Sequence, residues 1–170
     1  MAEKKVEDVK QQAKGKNPEE KKETEAHKLV KRYMYWSMGA GLIPVPWLDV
    51  GALAGVQLKM LHRLSEHYEV KFSENYGKSI IATLMGTITA DSLKRGAFTS
   101  FIKSIPLIGV IGMVSMPIYA GATTYAIGKV FIQHFESGGT FLDFDSKKVK
   151  NHFAELFEEG KLKASEIKAK

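Results

Sequence analysis

The chain has 170 residues, 25 Lys+Arg against 19 Asp+Glu for a net charge of +6, and no cysteine. This length suits one domain with tails, the lack of thiols excludes disulfide staples and thiolate metal sites and fits a reducing compartment, and the basic excess suits an anionic partner. Mean hydropathy is −0.17, but the charges are segregated. Residues 1–32 hold ten basic and seven acidic groups, residues 136–170 hold seven of each, and residues 33–135 hold only eight and five.

Residues 1–16 carry Val6 and Val9 as their only bulky apolar side chains, too few to offset the entropy of ordering, so a disordered or frayed tail is expected. The segment lacks the apolar core of a secretory signal, and the N-terminus is expected to stay in the cytoplasm. Asn17-Pro18-Glu19-Glu20 predicts a helix start: Asn caps, Pro suits the first turn, and the carboxylates suit the positive end of the dipole. The helix passes the Lys31-Arg32 pair and turns apolar at Tyr33, Met34, Tyr35 and Trp36. A basic pair followed by Tyr and Trp is what a membrane interface selects. Pro44 and Pro46 must break this helix. A second begins at Pro46/Trp47 and reaches about Tyr68, with Asp49 the only charge between Tyr33 and Leu58. Each arm has about 11–12 apolar residues, or about 17 Å at the helical rise, roughly half a bilayer core.

A third helix is expected over about 75–95, closed by Lys94-Arg95-Gly96, with an uncharged core (Ser79–Ala90) too short to span. A short helix over 97–104 leads to Pro106. Ser104 to Gly128 carries no charge, but Pro106, Gly109, Gly112, Pro117, Gly121 and Gly128 predict a kinked helix or a second hairpin, running on to Phe135. Ser137-Gly138-Gly139 reads as a linker and Thr140–Phe144 as a short extended piece. Asp145 or Ser146 then caps an amphipathic helix with Val149, Phe153, Leu156 and Phe157 on one face, which Gly160 is expected to end. The fold class is therefore all-α: two apolar helical hairpins with Pro-bent tips, flanked by charged helical or disordered tails. The expected division is a tail (1–16), an apolar membrane-associated domain (17–139), and a soluble amphipathic C-terminal helix and tail (140–170). A faint repeat pairs Ile43-Pro44 with Ile105-Pro106, each followed by a small-residue helix ending in His67-Tyr68-Glu69 or His134-Phe135-Glu136.

Small residues recur four apart at Gly51 and Gly55, at Ala82, Gly86 and Ala90, and at Ala120, Thr124 and Gly128. In lipid, such spacing lets helix backbones approach closely; in a soluble bundle it serves tight packing. Asp49 reads either as a cap of the helix after Pro46 or as a group held for oligomer contacts. Gly77-Lys78-Ser79 does not make a phosphate loop, because position 72 is Phe and no strand precedes it. No histidine pair has helical zinc spacing, and no catalytic set can be assembled, so neither enzyme activity, metal nor cofactor is expected. The membrane or packing candidates are Trp36, Pro44, Pro46, Trp47, Asp49, Gly51, Gly55, Gly86, Pro106, Gly109 and Gly128. The head-group candidates are Lys31, Arg32, Lys94 and Arg95. The tail charges interleave with acids, so anionic lipid rather than nucleic acid is the expected partner.

Two stretches resemble a known family. Tyr35-Trp36-Ser37-Met38-Gly39-Ala40-Gly41-Leu42-Ile43-Pro44-Val45-Pro46-Trp47-Leu48-Asp49, with Gln57-Leu58-Lys59-Met60 and Leu64…Tyr68, is similar to the first half of the YcjF-like bacterial family, a numbered domain of unknown function. Ile105-Pro106-Leu107-Ile108-Gly109 and Ala122-Thr123-Thr124-Tyr125-Ala126-Ile127-Gly128 resemble its second half. The resemblance covers about residues 27–139. It implies membrane association and a neighbouring or fused small GTPase, which here would be a separate partner. The expectation is thus a protein that anchors, organises or shapes membrane at the cytoplasmic face of a bacterial inner membrane, as a homo-oligomer or beside a GTPase. The alternative is a soluble, cytoplasmic helical adaptor or scaffold that uses its apolar helices as core or interface.

Overall fold

A computed structural model of the chain describes residues 17–40, 49–94 and 108–168. The expected tail 1–16, the short helix 97–104, and Pro44, Pro46, Trp47, Arg95 and Pro106 lie outside these residues. The described residues form five helices and no strand: α1 (Pro18–Ala40), α2 (Asp49–Tyr68), α3 (Glu74–Lys94), α4 (Ile108–Glu136) and α5 (Lys150–Lys168).

The ends follow local chemistry. The Lys21 amide donates to the Asn17 carbonyl at 3.0 Å, with Glu19 and Glu20 in the first turn. α2 stops where Glu69 enters the left-handed region (φ 60°), which lets the Val70 amide reach back to the Ser65 carbonyl at 2.8 Å. α4 is one continuous helix with Pro117 inside it. Residues 140–144 do not extend as a strand. They bend, because the Asp143 carboxylate accepts from the Thr140 amide at 2.6 Å and its hydroxyl at 2.7 Å.

α4 is the axis of the bundle. α1 and α5 pack along it, α2 packs on both α1 and α4, and α3 covers α2 with lighter contact to α4 and α5. The two segments 17–139 and 140–168 share one core: Met60, Leu61 and Leu64 of α2, Leu84 of α3 and Ile127 and Phe131 of α4 join Phe141, Phe153 and Leu156. Phe131 stacks on Phe144, ring centroids 4.7 Å apart.

Gly160 does not end α5, which continues to Lys168. Its missing side chain serves a helix crossing instead. A Cβ there would lie 2.9 Å from both the Cα and the carbonyl oxygen of Ala122, so glycine alone lets α5 lie this close to α4.

α1 runs opposite to α2 and α4, which run in the same direction. The His67 Nε2 sits 2.8 Å from the Lys22 carbonyl, and the Tyr68 hydroxyl donates to Glu136 Oε1 at 2.8 Å. The start of α1 and the ends of α2 and α4, the segments related by the faint repeat, therefore lie together. Gly77, near the start of α3, faces Leu58 and Phe141. Ala40, Asp49, Lys94 and Ile108 consequently mark the opposite end, from which both connections (41–48 and 95–107) depart. Among the described residues, no helix is long and apolar enough to cross a membrane.

Candidate functional site

The two motif stretches meet in the core through hydrogen bonds. Gln57 of α2 donates through Nε2 to the Thr123 hydroxyl at 3.2 Å and the Thr124 hydroxyl at 3.4 Å. Thr124 also shares a 2.7 Å bond with the Ser37 hydroxyl of α1. Thr123 passes its own proton back to the Tyr119 or Ala120 carbonyl, at 3.0 and 3.1 Å. All four side chains are fully buried. Gln57 Oε1 alone has no partner, and a desolvated acceptor of this kind costs about 1–3 kcal/mol. The node contains no titratable group. It ties α1, α2 and α4 together and holds no acid or base that would activate its hydroxyls. Sequence reading placed Gln57 and Thr123-Thr124 in the motifs but did not join them. The available signal was an amide and two adjacent hydroxyls inside charge-free runs.

On the surface, α1 sends its adjacent cations to different sides, as the 100° step between neighbouring helical residues requires. Lys31 faces a groove with His27, Lys129, Lys163, Glu159 and Glu166, where both signs are present. There the Tyr125 hydroxyl donates to Glu159 Oε1 at 2.7 Å. Burial pushes the Tyr125 phenol well up, and the bond from Tyr125 holds the Glu159 carboxyl below its ordinary value, helped by Lys163 and Lys129.

Arg32 enters a second depression, of about 210 Å³, lined by Arg32, Tyr33, Trp36, Lys59 and Arg63. The Arg32 guanidinium lies 5.7 Å from the Tyr33 ring centre. Arg63 pairs with Glu66 at 3.0 Å, and Glu66 together with the Tyr33 hydroxyl holds that guanidinium above its ordinary value. Trp36 is 64% exposed and Tyr35 46%, so two large rings stand in solvent beside the cations. Lys59 and Arg63 were not among the sequence candidates. They come from another helix, and only the antiparallel packing of α1 and α2 brings them to Arg32.

The small-residue candidates separate. Gly128 is a true close approach, where an added Cβ would lie 2.5 Å from a Val30 methyl. Gly51, Gly55 and Gly86 face open space within the chain, with nothing within 4 Å of an added Cβ. Asp49 is the first residue of α2, Lys94 the last of α3, and Gly109 lies in the first turn of α4. Among the described residues, no group of three or more His, Asp or Glu could hold a metal ion.

These features define a class: a small all-helical bundle, tied at its centre by a polar node, with its two long connections leaving from one end. The chain belongs to the family described as Domain of unknown function (DUF697), whose profile matches residues 5–161. It is similar to "Magnetosome membrane protein 22" of Magnetospirillum gryphiswaldense, at 38% identity over 146 residues, covering 85% of this chain and 75% of the relative. No solved structure matches it.

Proposed function

We propose that this chain is a non-enzymatic, membrane-associated protein that organises or shapes a membrane, docking by the end from which its two connections depart. The observation that carries this reading is the convergence of those connections. Ile43-Pro44-Val45-Pro46-Trp47 and Ile105-Pro106 both belong to segments that leave the bundle at one end, with exposed Trp36 on the helix that leads there. Prolines and rings on charge-poor segments suit shallow insertion into the interface, where a full span is not required. The name of the magnetosome relative supports membrane association. The YcjF-like resemblance adds a separate GTPase as partner, and the open Gly51, Gly55 and Gly86 faces leave room for self-association. A bacterial inner membrane, approached from the cytoplasm, is the site we assign.

The test is membrane fractionation followed by carbonate extraction and vesicle flotation. The native chain is expected to float with anionic vesicles, and Trp47→Glu to stay behind. A native chain that remains monodisperse without detergent and never floats would favour the soluble scaffold instead. Flotation of Trp47→Glu equal to that of the native chain would remove the inserting tip.

A further inference from the structure

We propose that Arg32, Lys59 and Arg63 form a binding site for the phosphate of an anionic phospholipid head group, with Trp36 seated in the lipid interface beside it. The proposal rests on the membrane reading above and deepens it from general attraction to one site and one ligand chemistry.

Three cations from two helices line a single depression whose other walls are Tyr33 and Trp36. No carboxylate lines it. Among the described residues Arg63 has one ion-pair partner, Glu66, whereas Arg32 and Lys59 are in no ion pair. The set therefore keeps a formal excess of two positive charges. Such like charges repel in the folded state and gain when an anion enters between them. The planar guanidinium of Arg32, seated against Tyr33, presents paired donors that match phosphate oxygens, and Lys59 adds a point charge. A phosphomonoester carries between −1.5 and −2 charge near neutrality and so matches the excess.

The surroundings make the site selective. No acid occurs between Lys28 and Ala40 of α1 or between Val50 and Ser65 of α2, so within one turn of the three cations along these helices the only acid is Glu66, already counted against Arg63. The Lys31 groove shows the contrast: its lysines already face Glu159 and Glu166. Trp36 lies one helical turn beyond Arg32 on the same side and is the most exposed large ring among the described residues. A ring with an apolar body and a polar N–H settles at the level of lipid head groups. Cation and ring would therefore engage one lipid together.

The experiment follows Trp36 fluorescence in a Trp47→Phe background, with phosphatidylcholine vesicles that contain or lack phosphatidic acid, and with inorganic phosphate alone. Phosphatidic acid should blue-shift Trp36, and inorganic phosphate at millimolar concentration should leave it unmoved. Each cation near the surface contributes about 1 kcal/mol, or roughly fivefold in affinity. The double variant Arg32→Gln/Lys59→Gln should therefore bind about 25-fold more weakly, with unchanged helical circular dichroism. Lys59→Arg should bind as the native chain does, and the equally discharged Lys147→Gln/Lys148→Gln should lose far less. If the Arg32/Lys59 variant binds like that control, the site is wrong while membrane association stands. If inorganic phosphate alone shifts Trp36 and competes with vesicles, the ligand is a soluble phosphate and the lipid assignment is overturned. If the native chain responds to neither vesicles nor phosphate, both readings fall.

Discussion

Replacing Gly160 by alanine opposes two effects that the structure sets against each other. An exposed mid-helix glycine changed to alanine gains about 1 kcal/mol. At position 160 the new Cβ would lie 2.9 Å from the Ala122 Cα and carbonyl oxygen and 3.1 Å from Tyr125 Cδ1, well inside the 3.5–4 Å of ordinary carbon contacts. Two of those atoms are backbone and cannot rotate away. α5 must therefore shift on α4, which disturbs the Phe157–Tyr119 ring contact and the Tyr125–Glu159 bond. Overpacking of this kind costs about 1–3 kcal/mol, so a net loss of about 1 kcal/mol is expected, a fall in Tm of about 2–4 °C for a chain of this size. Gly86→Ala is the matched control. Its Cβ meets nothing within 4 Å, so Tm should rise by up to about 2–4 °C. Thermal unfolding followed by circular dichroism, with both variants in one buffer, reads the difference in sign. If Gly160→Ala also rises, α5 does not cross α4 at this point and the account of that glycine is wrong.

Gly128→Ala should destabilise the chain, because Val30 presents a branched and therefore stiff side chain to the new Cβ. Adding Val30→Ala should recover part of the loss, so non-additive melting temperatures are expected, whereas simple additivity would mean the two positions do not touch. Gln57→Leu removes a buried acceptor that has no partner while leaving Thr123 and Thr124 their other bonds. Stability in urea should stay level or rise by about 1 kcal/mol, and a drop of several kcal/mol would show that the amide has an essential partner. Glu159 is held below its ordinary value of 4.5, first by the hydrogen bond from Tyr125. That stabilisation is complete above the unfolded value and is lost as pH falls through the lower folded value. The Tm gap between the native chain and Tyr125→Phe should thus be full at neutral pH and shrink below about pH 4.5; a gap constant across the titration would show that the bond does not carry it.

Helix starts and stops that depend on a few neighbouring residues were readable from the sequence. Asn17-Pro18 opens α1 and Tyr68 closes α2 as expected, although the closing residue, Glu69 at φ 60°, carries no glycine to announce it. Gly160 shows the limit. A glycine that ends a helix and one that admits a neighbouring helix look alike until the neighbour, Ala122, is known. The same degeneracy affects the four-residue spacing of small residues, which describes Gly128, packed on Val30, and Gly86, facing open space, equally well. Arg32 was visible as a candidate cation because Trp36 follows it on the same helix. Lys59 and Arg63 were not, since their place beside it depends on the register of α1 against α2. Both helices are in turn tied to α4 by the Ser37, Gln57 and Thr124 bonds, which are long-range by nature.

The antiparallel arrangement also separates Asn17 from Lys168. α1 begins beside Tyr68 and Glu136, while Ala164 of α5 packs on Met34 and Met38 near the far end of α1, so Lys168 lies close to where the connections depart. Positions 19 and 168 therefore occupy opposite poles of the bundle. A pair of fluorophores, one on each, would turn any docked orientation into a difference in quenching depth, and upright, inverted and sideways molecules would give three distinct readings.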